Sequence, residues 1–290
     1  MGILSKKRSD GILIKDIDPY AMLVPYVMRG RNESAVYYSK SIDITPALEY
    51  LTQQKEHGEY VTVFNLIIAA IKRTVEARPK LNRYIAGRRV YAHKNFEVLY
   101  VVKRSLTDTA GDSIAHVVLD PADDILSVAK KVNAYNKELK AGLEKGDDKL
   151  MELASWMPRW LIRFLVSVLR TADFHGILPK SVIDILPFYS SIWIANLGSI
   201  GADAPFHHLY EVGTTSVFMT IGRIQEKIVH TENGDSTRKF INLMFTIDER
   251  ICDGFYLIRS LRLFERYMSK PNLIDRPISD EESRRNRDSY

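Results

Sequence analysis

At 290 residues the chain is near the upper size of a single hydrophobic core, so one large domain or two small ones are open to it. Hydrophobic residues make up 46% and charged residues 27%, which excludes a chain disordered throughout. The formal charge of +5 suits anionic ligands or membrane surfaces but is too small for a dedicated nucleic-acid binder, and one cysteine excludes a disulfide framework or a cysteine-rich metal site.

The start lacks the apolar stretch of a signal peptide, and no apolar run approaches the roughly 18–20 residues that span a bilayer. A cytoplasmic location is therefore expected. Residues 1–18 read as a flexible polar segment, 19–270 as one domain, and 271–290 as a disordered charged tail. Thr45-Pro46 starts a helix, a capping residue followed by a proline at the first helical position, which runs to Gly58. Thr62 caps a second, in which Val63, Leu66, Ile67, Ala70, Ile71 and Val75 recur at helical spacing up to Arg78-Pro79. Residues 96–102 (FEVLYVV) read as a strand. Asp123-Asp124 opens a helix with Ile125, Val128, Val132, Tyr135 and Leu139 on one face. Residues 190–195 and 216–221 read as buried strands, and residues 224–230 and 238–247 flank Asn233-Gly234, a hairpin turn. A last helix follows Asp253-Gly254, with Phe255, Ile258, Leu261, Phe264 and Met268 apolar. This alternation predicts an α/β two-layer sandwich, a mixed sheet with flanking helices.

Residues 246–254 read TIDERICDG, after a strand and before an apolar helix. Earlier come Pro79, Lys80, Leu81 and Asn82 behind an apolar helix, then residues 191–201 (SIWIANLGSIG) with Asn196, Leu197 and Gly198. In this order the motifs resemble the coenzyme-A-dependent acyltransferase superfamily, which holds chloramphenicol acetyltransferase and the catalytic domain of the 2-oxo-acid dehydrogenase dihydrolipoamide acyltransferases. The latter's pattern is Asp-His-Arg-x-x-Asp-Gly. Asp248, Arg250, Asp253 and Gly254 match it, and Glu249 stands where the catalytic histidine belongs. The likeness spans roughly residues 20–270 and implies a chloramphenicol acetyltransferase-like fold. It also implies a homotrimer with active sites between subunits, and an acyl-coenzyme A co-substrate.

In that family the histidine deprotonates the acceptor, which attacks the thioester, while a hydroxyl near the Asn-Leu-Gly strand steadies the oxyanion. Here Ala195 replaces a common serine of that strand. The resemblance assigns Glu249 as base, Asn196 to the site, and Asp253 to ordering the loop with Arg29 or Arg31 as its partner. Ser191, His207 and His208 are the candidate substitutes for the missing groups, and Cys252 reads as a small packed residue. A glutamate near pKa 4.3 facing a thiol near 8.5 is mismatched by about 4 units, or about 6 kcal/mol. Two readings stay open: transfer of an acyl group to a thiol, hydroxyl or amine with Glu249 as base, or a catalytically inactive homologue that binds acyl-coenzyme A or serves as a trimeric scaffold. No metal is expected, for want of ligand spacing, and no nucleic-acid partner. No lipoyl attachment domain is expected either, since the catalytic-type part takes up most of the chain.

Residues 156–170 (WMPRWLIRFLVSVLR) lie in an apolar insertion over about 150–188. At about 100° per residue, Arg159, Arg163 and Arg170 fall within roughly 40° of one another while apolar residues fill most of the remaining circumference. Three readings are open: a helix buried against the sheet or at a subunit interface, a cover over the acyl site, or peripheral membrane contact through Trp156, Trp160, Arg159 and Arg163.

Overall fold

A computed structural model describes residues 8–103, 112–141, 156–231 and 234–278. In chain order the elements are β1 (Gly11–Leu13), α1 (Pro19–Val27), β2 (Ala35–Asp43), α2 (Thr45–Glu56), α3 (Val63–Ala77), β3 (Arg83–Ala86), β4 (Arg89–His93), β5 (Phe96–Lys103), β6 (Asp112–Leu119) and α4 (Ile125–Lys140). There follow α5 (Arg159–His175), α6 (Lys180–Ile183), β7 (Ile192–Asn196), β8 (Val217–Thr231), β9 (Gly234–Asp248) and α7 (Gly254–Ser269). Six strands form one mixed sheet in the order β2-β9-β8-β7-β5-β6, with β7 parallel to both of its neighbours. A smaller antiparallel sheet, β1-β4-β3, stands beside it. The expected α/β two-layer sandwich is the fold observed.

Side-chain alternation explains the layers. Val98, Tyr100, Ile192, Ile194, Val217, Met219, Leu243 and Phe245 belong to one core with α3, α4 and α7. The intervening Leu99, Trp193 and Phe218 point the other way, beneath Leu209 and Tyr210. Strands β5, β7 and β8 are thus buried on both faces, which is why their segments read as nearly unbroken apolar runs. Each fully buried Leu, Ile or Phe contributes about 1.5–3 kcal/mol. Helix α3 sits at the centre of the helical layer, buried almost all round. Thr62 accepts from the Asn65 N–H and Asn65 returns an acceptor to the Thr62 N–H, so two orphan donors of the first turn are satisfied.

Several expectations need correction. Thr45 does not cap α2: Ile44 holds that position, and the Thr45 hydroxyl accepts from the Lys239 N–H at 2.9 Å. Phe255 is 72% exposed, and Leu257 takes its place in the core. Residues 8–13 are tied to the body of the fold. Arg8 is buried, bridges Asp10 and Asp173, and donates to the Tyr84 hydroxyl, while β1 pairs with β4. A polar composition suggested a solvated segment; Arg8 and Asp10 are instead bonded to Asp173 and Tyr84, far along the chain. At the other end Pro271–Ile274 forms a 3-10 turn with Ile274 buried. Residues 1–7 and 279–290, Asn233 of the hairpin, and residues 150–155 of the insertion lie outside the described residues. Helix α5 has no buried residue, so it is not a helix packed into the core: Trp156, Trp160 and Phe164 are 84%, 70% and 60% exposed.

His93 closes β4 with its Nε2 buried and unpartnered. Burial pulls its pKa down to about 4, against the opposing charges of Glu97 and Asp10. The unfolded chain accepts this proton near pH 6.5 and the folded chain only near 4, so stability is fully present above 6.5 and declines as pH falls towards 4. The shift corresponds to a loss of about 3 kcal/mol at most. Denaturation midpoints of wild type and His93→Gln should therefore diverge between pH 7 and pH 4.5, with the variant less acid-sensitive; parallel curves would contradict this.

Candidate active site

Where β9 ends, the chain turns through a 3-10 turn, Glu249–Ile251, into α7. Asp248 is fully buried. Its Oδ1 accepts from Ser34 Oγ at 3.0 Å and from Arg250 Nε at 2.8 Å, and its Oδ2 accepts from Arg250 Nη2 at 2.8 Å. Arg250 Nη1 then donates to the carbonyls of Met28 and Arg29 at 3.0 and 3.1 Å. A bidentate Arg–carboxylate pair at near-zero exposure holds only when its remaining lone pairs and protons are satisfied, and here they are largely met. This pair fastens the end of β9 to the segment that leads into β2.

Glu249 follows directly. Its N–H donates to the Ser34 carbonyl at 2.9 Å, which fixes the backbone, and its side chain points into solvent. No hydrogen bond or ion pair reaches its carboxylate among the described residues. Cys252 is buried, and burial with the adjacent Asp253 charge pushes its thiol up to about 12, so it is an inert packed residue. Asp253 is exposed and caps α7, accepting from the Tyr256 N–H at 2.8 Å.

Neither arginine proposed as the Asp253 partner bonds to it. The Arg31 guanidinium is buried and donates to the carbonyls of Ile85, Tyr210, Glu211 and Gly213. Arg29 is exposed and offers its carbonyl to Arg250. Arg78 lies over the Tyr256 ring at 3.8 Å. Lys80 stacks on the same ring, and its N–H donates to the Tyr256 hydroxyl at 3.1 Å. The Pro-Lys-Leu-Asn turn thus docks on the helix behind the signature loop.

Asn196 ends β7 and accepts from the Ser199 N–H at 3.2 Å, shaping the 3-10 turn Leu197–Ile200. Gly198 lies against the Gly222 carbonyl, and a methyl group there would overlap it. Ser191 is buried, donating to the Asn95 carbonyl and accepting from the Glu97 N–H at 3.0 Å. It is a strand-joining residue with no free face. His207 stacks on Phe218 at 3.9 Å, and burial lowers its pKa. His208 stacks on His207 and lies edge-on to Tyr210. No bond or ring contact joins either histidine to Glu249 among the described residues. Ser34, which fastens Asp248 across 214 positions, carried no sequence signal. Among the described residues there is no group of three or more His, Cys, Asp or Glu that would hold a metal.

A family model described as 2-oxoacid dehydrogenases acyltransferase (catalytic domain) matches residues 189–275. No curated protein matches the sequence. Among solved structures, a probable dihydrolipoamide acetyltransferase from Listeria monocytogenes is 15% identical with a TM-score of 0.58, over 89% of this chain and 94% of that one. The cubic core of the pyruvate dehydrogenase multienzyme complex is 15% identical with a TM-score of 0.58, over 90% and 93%. A chloramphenicol acetyltransferase is 13% identical with a TM-score of 0.51, over 89% and 98%. At such identities the likeness is one of fold.

Proposed function

We propose, from a coenzyme-A-dependent acyltransferase fold whose signature loop carries Glu249 in place of histidine, that this chain transfers an acyl group from coenzyme A to a thiol, hydroxyl or amine, with Glu249 as the proton acceptor. The observation that carries this reading is the loop itself. Asp248, Arg250 and Ser34 hold it rigidly, and it presents the Glu249 carboxylate to solvent at the position the family gives to its base. A general base needs position before it needs strength. Asn196 shapes the neighbouring turn, and the chain assembles as a homotrimer, the arrangement that its motif resemblance implies.

Incubation with acetyl- and longer acyl-coenzyme A plus a thiol acceptor tests it: release of free coenzyme A thiol is the expected result. A second reading, a homologue that binds acyl-coenzyme A without turnover, draws on the lack of any bond to the Glu249 carboxylate. It predicts a thermal shift with coenzyme A and no thiol release; no shift at all would remove both.

The outward face of α5 belongs to this proposal as a peripheral contact with anionic bilayers. No described helix is long and apolar enough to cross a membrane. Trp156, Trp160 and Phe164 are exposed, Arg159 and Arg163 accompany them, and no acidic residue lies between positions 154 and 172. Co-sedimentation with phosphatidylglycerol vesicles should fall several-fold in Trp160→Glu, and equal binding by both proteins would end this part of the reading.

A further inference from the structure

Beside the signature loop, α1, the β3–β4 turn, the end of α5 and the segment around Glu211 enclose a cleft of about 390 Å³. Its lining includes Arg29, Arg31, Arg88, Arg170 and Arg250 together with Asp173 and Glu211. Arg250 is paired with Asp248, and Arg8 is shared between Asp10 and Asp173. Four arginines therefore share the cleft with Glu211 and with Asp173, whose one cation is divided with Asp10. Glu211 is itself pinned by the backbone N–H groups of Arg31 and Asn32 at 3.0 Å. Among the described residues no carboxylate pairs with the side chains of Arg29, Arg88 or Arg170. Arg31 is 5% exposed, and its Nε is buried without a hydrogen-bond partner.

Position 88 adds an independent sign. The two-residue β3–β4 turn has Gly87 at φ +54° and Arg88 at φ +60°. Such a turn favours Asn-Gly, and a long side chain in the left-handed region is strained there. The chain accepts that strain and places an arginine in the lining of the cleft, its guanidinium over the Tyr26 ring at 5.3 Å, and strain of this kind gathers at ligand clamps. Gly87 is pressed against the Phe174 carbonyl, so the turn and the end of α5 form one fixed wall.

We propose that this cleft binds a phosphorylated small molecule, its phosphate oxygens held by Arg29, Arg88 and Arg170 above the buried Arg31. A single carboxylate is satisfied by one bidentate arginine, whereas four guanidinium groups around one space match an oxyanion of several charges. The volume falls in the range of small-ligand sites. The assignment is independent of acyl transfer, since it concerns an anion site beside the signature loop and not the reacting thioester.

Calorimetric titration of the full chain with pyrophosphate, with citrate as the carboxylate counterpart, tests it without any acyl donor present. Wild type should bind pyrophosphate more tightly than citrate, and Arg88→Gly combined with Arg170→Gln should weaken pyrophosphate at least ten-fold. Both substitutions sit on exposed side chains, and a ligand-free melting temperature no lower than that of wild type confirms that the fold is intact. No heat at millimolar pyrophosphate, equal affinity in the variant, or a preference for citrate overturns the proposal. Arg88→Gly alone, which relieves the strained turn, should weaken binding while raising the melting temperature; tighter binding would likewise overturn it.

Discussion

Glu249→His is expected to raise the rate of acyl transfer by about 10–10²-fold, because a base better matched by about 2 pKa units gains at most about two decades. The reasoning rests on proton affinities and on place. A carboxylic acid and an imidazole differ by about 2 units in reference pKa, and the imidazole lies nearer to a thiol or to an operating pH of 7. The place already exists, because the backbone of residue 249 is tied to Ser34 and flanked by the Asp248–Arg250 pair. A histidine there inherits a fixed backbone. Glu249→Gln should remove transfer to the level of an enzyme lacking its base, again by about 10²-fold or more. Wild-type and Gln proteins with equal rates of thiol release would show that Glu249 is not the proton acceptor.

Asp248→Asn should be the most damaging single change for stability, at about 3–5 kcal/mol, because it leaves the Arg250 guanidinium buried without its counter-charge. Three side-chain bonds converge on the Asp248 carboxylate, two from Arg250 and one from Ser34. An asparagine replaces one acceptor oxygen by a donor that faces the guanidinium. At about 2–4 °C per kcal/mol for a large domain, the melting temperature should fall by roughly 6–20 °C. Replacing both partners by apolar residues should cost much less than either single change, since no unpaired charge then remains. A thermal melt of Asp248→Asn within 2 °C of wild type would refute this account of the loop.

The parts of the fold that depend on local periodicity could be read in the sequence. Helix α3, the strand at residues 96–102 and the helix after Asp124 follow from spacing and caps that lie within a few residues of one another. The signature loop was readable for the same reason, as a contiguous string. What spacing does not encode is which distant group answers a charge. Arg31 spends its donors on carbonyls about 180 positions away, and Arg8 reaches Asp173 across 165. Only closure of the chain brings such groups together, and it ties Arg31 to backbone carbonyls and not to Asp253. Strand β2 was missed because it is an edge strand with alternating polar residues, and its burial is modest. The amphipathic arc of α5 was legible as a helix, but periodicity alone does not say whether an apolar face meets protein, lipid or water.

The exposed end of α5 also divides the intrinsic fluorescence of this protein. Of its three tryptophans, two flank the start of that helix in contact with water, while Trp193 is 5% exposed and stacked on Phe218 beneath the histidine loop. A water-soluble quencher therefore silences the α5 signal and leaves the signal from the sheet. One emission spectrum can thus follow events at the helix surface and changes behind the candidate site as two separable colours.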